Sequence, residues 1–296
     1  MHNSSSVRVA PEPGILGEAR RVSNISDDVL PHHFKFEGKS WPESCMSMIR
    51  YGLAGQAIDC ANLPKSKRLN RCSSKLQGWG KLIEVCTSPD SCLGETAKRL
   101  NCDSLHVERV TELDDFMNPK TFARLKKYVS DHPGTSVHGS LPCTVWTNWQ
   151  EMCIHKYGPT YLAKLQQRRA KSIAMLKKFI ELAEHAYELG GEISFEWPRH
   201  CSGWLVRPLQ EFICRNSLIE ALVDGCGAGM CNSKGEPVLK KWRFVTSSDG
   251  LAEGLSKLRC THDKSYKHAE IAGSETSRTS AYPETVSYTH LRAHET

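Results

Sequence analysis

The sequence predicts an α/β fold on a mostly parallel sheet, and three observations carry that expectation. Between residues 78 and 285, short apolar runs alternate with helical stripes, the pattern of strands joined by crossover helices. Two of the runs lead into proline-containing loops that bear reactive side chains, Ser140-Leu141-Pro142-Cys143 and Glu196-Trp197-Pro198. A single long amphipathic stretch separates those loops, and a crossover of that kind joins neighbouring parallel strands.

Composition bounds the reading. A chain of 296 residues suits one domain with appendages, and 39% apolar with 24% charged residues is ordinary for a globular protein. No apolar run approaches the roughly 18 residues of a membrane span, so no membrane partner is expected. The start, MHNSSSVRVAPEPG, lacks the charged-then-apolar pattern of a secretory signal. Thirteen cysteines, an odd count, are expected to be reduced and intracellular, nuclear or cytoplasmic. The formal charge of +6 permits an anionic partner such as nucleic acid.

Residues 1–77 read as a low-order extension or linker. Pro11, Pro13, Pro31, Pro42 and Pro64 interrupt it, with one short helical candidate at 43–57 and a basic run from Lys65 to Arg71. The domain begins near Gly78 and is expected to run to 285. Residues 81–86 form the first strand, 87–91 a loop and 92–100 a helix, the arrangement by which α/β folds cradle a ligand. Residues 104–111 are the next strand, with Glu108 near its end, and Phe122, Leu125 and Val129 mark a helix over 119–129. Val137-His138-Gly139 enters a buried strand, and Pro142 then fixes the direction in which Cys143 leaves it. The longest helix covers 161–189, with an apolar stripe through Leu165, Leu176, Phe179 and Ile180 and a basic face through Lys164, Arg168, Lys171 and Lys178. Gly190-Gly191 ends it. Strand 193–195, helix 205–216, run 221–224, a glycine-rich turn and strand 237–247 complete the order.

Ser-x-Pro-Cys-x-x-aromatic-Thr, spelled from Ser140 to Thr147, resembles the nucleophile loop of the C5-cytosine DNA methyltransferases. Leu82-Ile83-Glu84-Val85 followed by small residues resembles the first motif of class I S-adenosylmethionine-dependent methyltransferases. Glu196-Trp197-Pro198 is similar to that family's base-binding Glu loop. The order of parts resembles methyltransferase-like segments of retroelement polyproteins over roughly residues 80–283. The resemblance implies a Rossmann-like sheet with helices on both faces and an antiparallel hairpin at its edge. It implies Cys143 as nucleophile and Glu196 as the group that binds a flipped base. Glu84, Glu108 and Asp115 (or Asp114) would face S-adenosylmethionine, with Cys86, Ser88 and Asp90 standing where the family prefers glycine. Thr144, Trp146, Trp197, Lys240, Lys241 and Arg243 would contact nucleic acid, DNA in first place, with Trp204 adding stacking surface. Methylation at cytosine C5 is the leading expectation, and an exocyclic amine is a close variant. The other expectation is a non-catalytic binding module that keeps the fold and not the chemistry.

Cys260, His262 and His268 invite a zinc reading, perhaps with Cys226 and Cys231, but fit no Cys-x2-Cys spacing and are taken as polar loop residues without a metal. The final stretch, VSYTHLRAHET over 286–296, shows no core pattern. It coincides with a translation of a transposon-end sequencing adapter and is expected to be foreign to the domain.

Overall fold

A computed structural model describes residues 60, 62–67, 81–88, 91–99 and 106–293. The helix expected over 43–57, Asp90 and part of the basic run lie outside the described residues. In chain order the elements are β1 (Lys81–Val85), α1 (Cys92–Arg99), β2 (His106–Val110), α2 (Pro119–Asp131), β3 (Ser136–Gly139) and α3 (Trp149–Glu188). There follow β4 (Ile193–Pro198), α4 (Arg207–Arg215), β5 (Ile219–Asp224), β6 (Lys241–Thr246), α5 (Asp249–Ser256), α6 (Ser274–Arg278) and α7 (Glu284–Arg292). The fold is α/β on a mixed sheet of order β2-β1-β3-β4-β6-β5. Strands β1 to β4 run parallel, and β6 is antiparallel to both β4 and β5.

Local chemistry sets several of these boundaries. Asn118 caps α2 by accepting the Lys120 amide at 2.8 Å, and Pro119 occupies a first-turn position where no amide is needed. Helix α3 is broken at Gly158, whose φ of 68° no helix contains, followed by Pro159. The part beyond that kink carries the expected stripe, with Leu165, Leu176 and Phe179 fully buried. Gly191 lets the chain turn into β4 close against the third strand: a Cβ there would sit 1.9 Å from the Thr135 carbonyl oxygen.

Alternate strand residues enter different clusters, as a pleat requires. Ile83, Val85, Val137 and Phe195 join Leu125, Val129, Phe179 and Phe212. Val223, Trp242 and Phe244 join Leu251, Leu255 and Val286, while Leu82 meets Leu93, Ala97 and Leu291.

Four expectations need correction. The antiparallel hairpin at the sheet edge is present, with β5 outermost and β6 between it and β4, but β6 starts at Lys241 instead of 237. Glu196-Trp197-Pro198 does not leave the strand; it pairs with Phe244, Arg243 and Trp242 of β6. The final stretch does have a core pattern. Helix α7 buries Val286, Ser287, His290 and Leu291, because those positions recur at helical spacing against α1 and α5. Nor are all thiols reduced. Cys60 and Cys214 form a disulfide, brought together where Lys65 Nζ and the Ser66 amide donate to the carbonyls of Cys214 and Arg215 at the end of α4.

Candidate functional site

The strand order reverses between β1 and β3: the chain steps from β1 outward to β2, then returns to place β3 on the other side. Loops leaving two such strands diverge and open a crevice above their carboxyl ends, where open α/β sheets bind ligands. The loop after Val85 and the loop after Gly139 leave the sheet at this switch point, joined by a hydrogen bond from the Ser140 amide to the Val85 carbonyl at 3.3 Å.

Glu196, near the end of β4, is the centre of the site. Its Oε2 accepts from Ser140 Oγ at 3.0 Å and from Tyr282 Oη at 2.8 Å. Burial pushes its carboxyl above the ordinary range, only partly offset by these two hydrogen bonds and by the charge of Lys240. Glu196 is therefore a buried acid that tends to keep its proton. Tyr282 is driven the same way, by burial and then by the Glu196 charge.

Cys143 stands three residues beyond Ser140, half-buried. Its loop is pinned from several sides. Trp197 Nε1 donates to the Leu141 carbonyl at 2.7 Å, the Trp146 amide to the Cys143 carbonyl at 2.8 Å, and Gln150 Nε2 to the Thr144 carbonyl at 2.8 Å. Burial and then the Glu196 charge raise the thiol's pKa, with Lys240 acting in the opposite sense. The thiol is thus predominantly protonated at neutral pH. Lys240 anchors its ammonium on the Thr279 carbonyl at 2.6 Å, and burial lowers its pKa against the pull of Glu196 and Cys143. The structure thus assembles Cys143, Ser140, Glu196, Lys240 and Tyr282. Ser140 lay in the quoted motif without a role. Tyr282, eighty-six residues from Glu196, carries no local sequence signal.

Among the described residues expected to face the cofactor, Glu84, Cys86, Glu108, Asp114 and Asp115 already have partners. Glu84 is buried and accepts from Thr87 Oγ1 at 3.0 Å and Ser91 Oγ at 2.6 Å. Cys86 adopts φ 61°, the left-handed conformation that favours glycine, and its side chain packs towards Met175 with sulfur atoms 3.9 Å apart. Burial pushes its thiol pKa up to about 12. Glu108 pairs with Arg124, which also reaches Asp114 at 3.7 Å. Asp114 closes a capping box with Thr111, and Asp115 accepts the Met117 amide at 3.2 Å. Ser88 is exposed. As placed, these residues do not fit S-adenosylmethionine: their carboxylates have partners, and a Cβ fills the turn that glycine would open.

On the nucleic-acid side, Thr144 is exposed at the mouth of the site. Trp146, Trp197 and Trp204 are 1%, 1% and 2% exposed, so their ring faces belong to the core and offer no stacking surface. Trp197 packs edge-on against Phe195 and Trp204. Arg243 pairs with Glu220 and lies over the Trp204 ring, whereas Lys241 is partly exposed. Apart from this crevice, Cys226, Cys260, His262 and His268 converge, while Cys231 is exposed and outside the group. Comparison with protein-family models, with curated proteins and with solved structures found no match for this chain.

Proposed function

We propose that the chain is a Rossmann-like, methyltransferase-type domain, with helices on both faces of its sheet, that takes a nucleic-acid base into the cleft beside Cys143 and Glu196. One observation carries the proposal. Cys143's loop leaves β3, Glu196 lies on the neighbouring β4, and Ser140 links the two at 3.0 Å. In its protonated form, which burial favours, the Glu196 carboxyl presents a donor and an acceptor side by side. That pair suits a base whose ring nitrogen accepts and whose exocyclic amine donates, as in cytosine. Such a base is reached only in a single strand or after leaving its stack. DNA is the favoured partner, and the parent protein is a mobile-element polyprotein.

Two readings share this cleft. In the transferase reading, Cys143 would be the nucleophile and Glu196 the group holding the ring nitrogen of cytosine, and the methyl group would have to come from S-adenosylmethionine, which the residues as placed do not fit. In the other, the domain binds a base without turnover. The occupied Glu84 and Glu108 carboxylates, the Cβ at Cys86 and the protonated Cys143 thiol favour the second reading.

Calorimetric titration decides between them. A single-stranded oligonucleotide with unpaired cytosine is expected to bind, and Glu196→Ala to weaken binding roughly tenfold or more, the loss of one or two buried hydrogen bonds. S-adenosylmethionine alone is expected to give no binding heat. A covalent adduct between Cys143 and a mechanism-based cytosine analogue would establish the transferase reading instead. Failure of the wild-type chain to prefer cytosine-containing strands would sink both.

A further inference from the structure

Four side chains far apart in sequence meet beside the β5–β6 connection. Cys226 lies in the glycine-rich turn after β5, and Cys260, His262 and His268 lie in the irregular stretch between α5 and α6. Their ligand atoms all fall within 4.8 Å of one another. Cys260 Sγ is 3.4 Å from His262 Nδ1 and 3.4 Å from His268 Nε2, and the two nitrogens are 3.3 Å apart. Tetrahedral zinc, with bonds of about 2.3 Å to sulfur and about 2.0 Å to nitrogen, separates two nitrogens by about 3.3 Å and sulfur from nitrogen by about 3.6 Å. The separations among Cys260, His262 and His268 match that geometry, and the Cys226 thiol lies within 4.8 Å of all three.

The backbone is built to hold this arrangement. Asp224 Oδ2 accepts from Arg259 Nε at 2.8 Å and from the Cys260 amide at 3.0 Å, and the Asp224 amide donates to the Leu258 carbonyl at 2.9 Å. A Cβ at Gly227 would lie 2.4 Å from the Arg259 carbonyl oxygen, so only glycine lets the turn bearing Cys226 press on the irregular stretch bearing Cys260. After His268, the Ala269 amide returns to the Pro237 carbonyl at 2.9 Å.

We infer that Cys226, Cys260, His262 and His268 form a structural zinc site. Two sulfur and two nitrogen donors select zinc over hard cations, and four protein ligands leave no open position for substrate. The ion would staple the loop-rich stretch 257–273 to the β5–β6 turn. It would also fix the base of the segment that delivers Lys240, because the Gly225 amide donates to the Lys240 carbonyl at 2.6 Å. Sequence spacing hides the site: Cys226 is thirty-four residues from Cys260, and no Cys-x2-Cys pair announces it.

The test uses the full chain purified without chelator. Elemental analysis is expected to find about one zinc per chain, as a closed four-ligand site binds one ion. Cobalt substitution should give the intense visible bands of a tetrahedral centre and a thiolate charge-transfer band. Cys226→Ser and His268→Asn should each lower cobalt affinity at least about tenfold, since losing even a supporting group around a metal costs that much. Cys231→Ser should leave it unchanged. Should the ligand variants not fold, the wild-type chain still decides the matter. Chelation should expose Cys226 and Cys260 to alkylation and returned zinc should protect them. A metal-free native chain, an octahedral cobalt spectrum, a Cys226–Cys260 disulfide or equal loss in Cys231→Ser would overturn the assignment.

Discussion

Glu196 shows how a buried group makes stability depend on pH. Its folded pKa lies above the usual 4.5, so the folded chain holds a proton that the unfolded chain releases. Stability from this group is therefore full below about pH 4.5 and is lost as pH rises through the folded pKa. Glu196→Gln, which cannot ionise, is expected to flatten that fall in urea midpoints followed from acid to neutral pH. An unchanged slope would mean that the carboxyl is charged in the folded protein. Cys143 and Glu196 were legible in the sequence because each stands within two residues of a proline in a short motif whose chemistry is local, although Glu196 lies within β4 and not in a loop. The contact from Tyr282 was not, since nothing near it in the chain indicates where it folds back. The tryptophans misled for a related reason: Trp197 stands between a glutamate and a proline in sequence, yet Trp146, Phe195 and Trp204 pack round its ring.

Among the elements, the closest packing lies where glycines meet backbone. Gly191→Ala would drive a methyl into the Thr135 carbonyl, and Gly139→Ala would place one 2.3 Å from the Phe179 ring. Each is expected to cost about 1–3 kcal/mol or more, with Gly191 the worse because backbone yields less than a ring. Gly250→Ala, in α5 with nothing within 4 Å, should instead stabilise by about 0.4–1 kcal/mol. Equilibrium urea unfolding of the three variants gives the rank order, and a Gly191 variant as stable as the parent would contradict the close approach of the α3–β4 turn to the Thr135 backbone before β3. Helix and strand positions were readable from periodicity, since burial imposes it. The insertion of β6 between β4 and β5 was not. A hairpin's sequence says that its strands pair, while its long partner β4 is chosen by packing across the whole sheet.

At the scale of the molecule, α7 joins distant parts. His290 Nε2 lies 2.9 Å from Ser194 Oγ on β4, which is 2.8 Å from His138 Nδ1 on β3, and Leu291 fills the space beside Leu82 and Leu93. Ending the chain after Thr285 removes the burial of Val286 and Leu291, about 1.5–3 kcal/mol for each side chain. The shortened chain should unfold at clearly lower urea, and an unchanged midpoint would show that these residues are no part of the domain. Just before α7, Pro283 caps the helix and Tyr282 rests on Glu196. That phenol is a tethered competitor. Its local concentration at the carboxyl is fixed by the chain and does not change on dilution. If the cleft takes up a base as proposed, that base would bind with its intrinsic dissociation constant divided by the fraction of molecules in which the phenol has withdrawn. Whatever loosens α7 would raise that fraction, so the affinity proposed for the cleft would be governed by how firmly this helix is docked between α1 and α5.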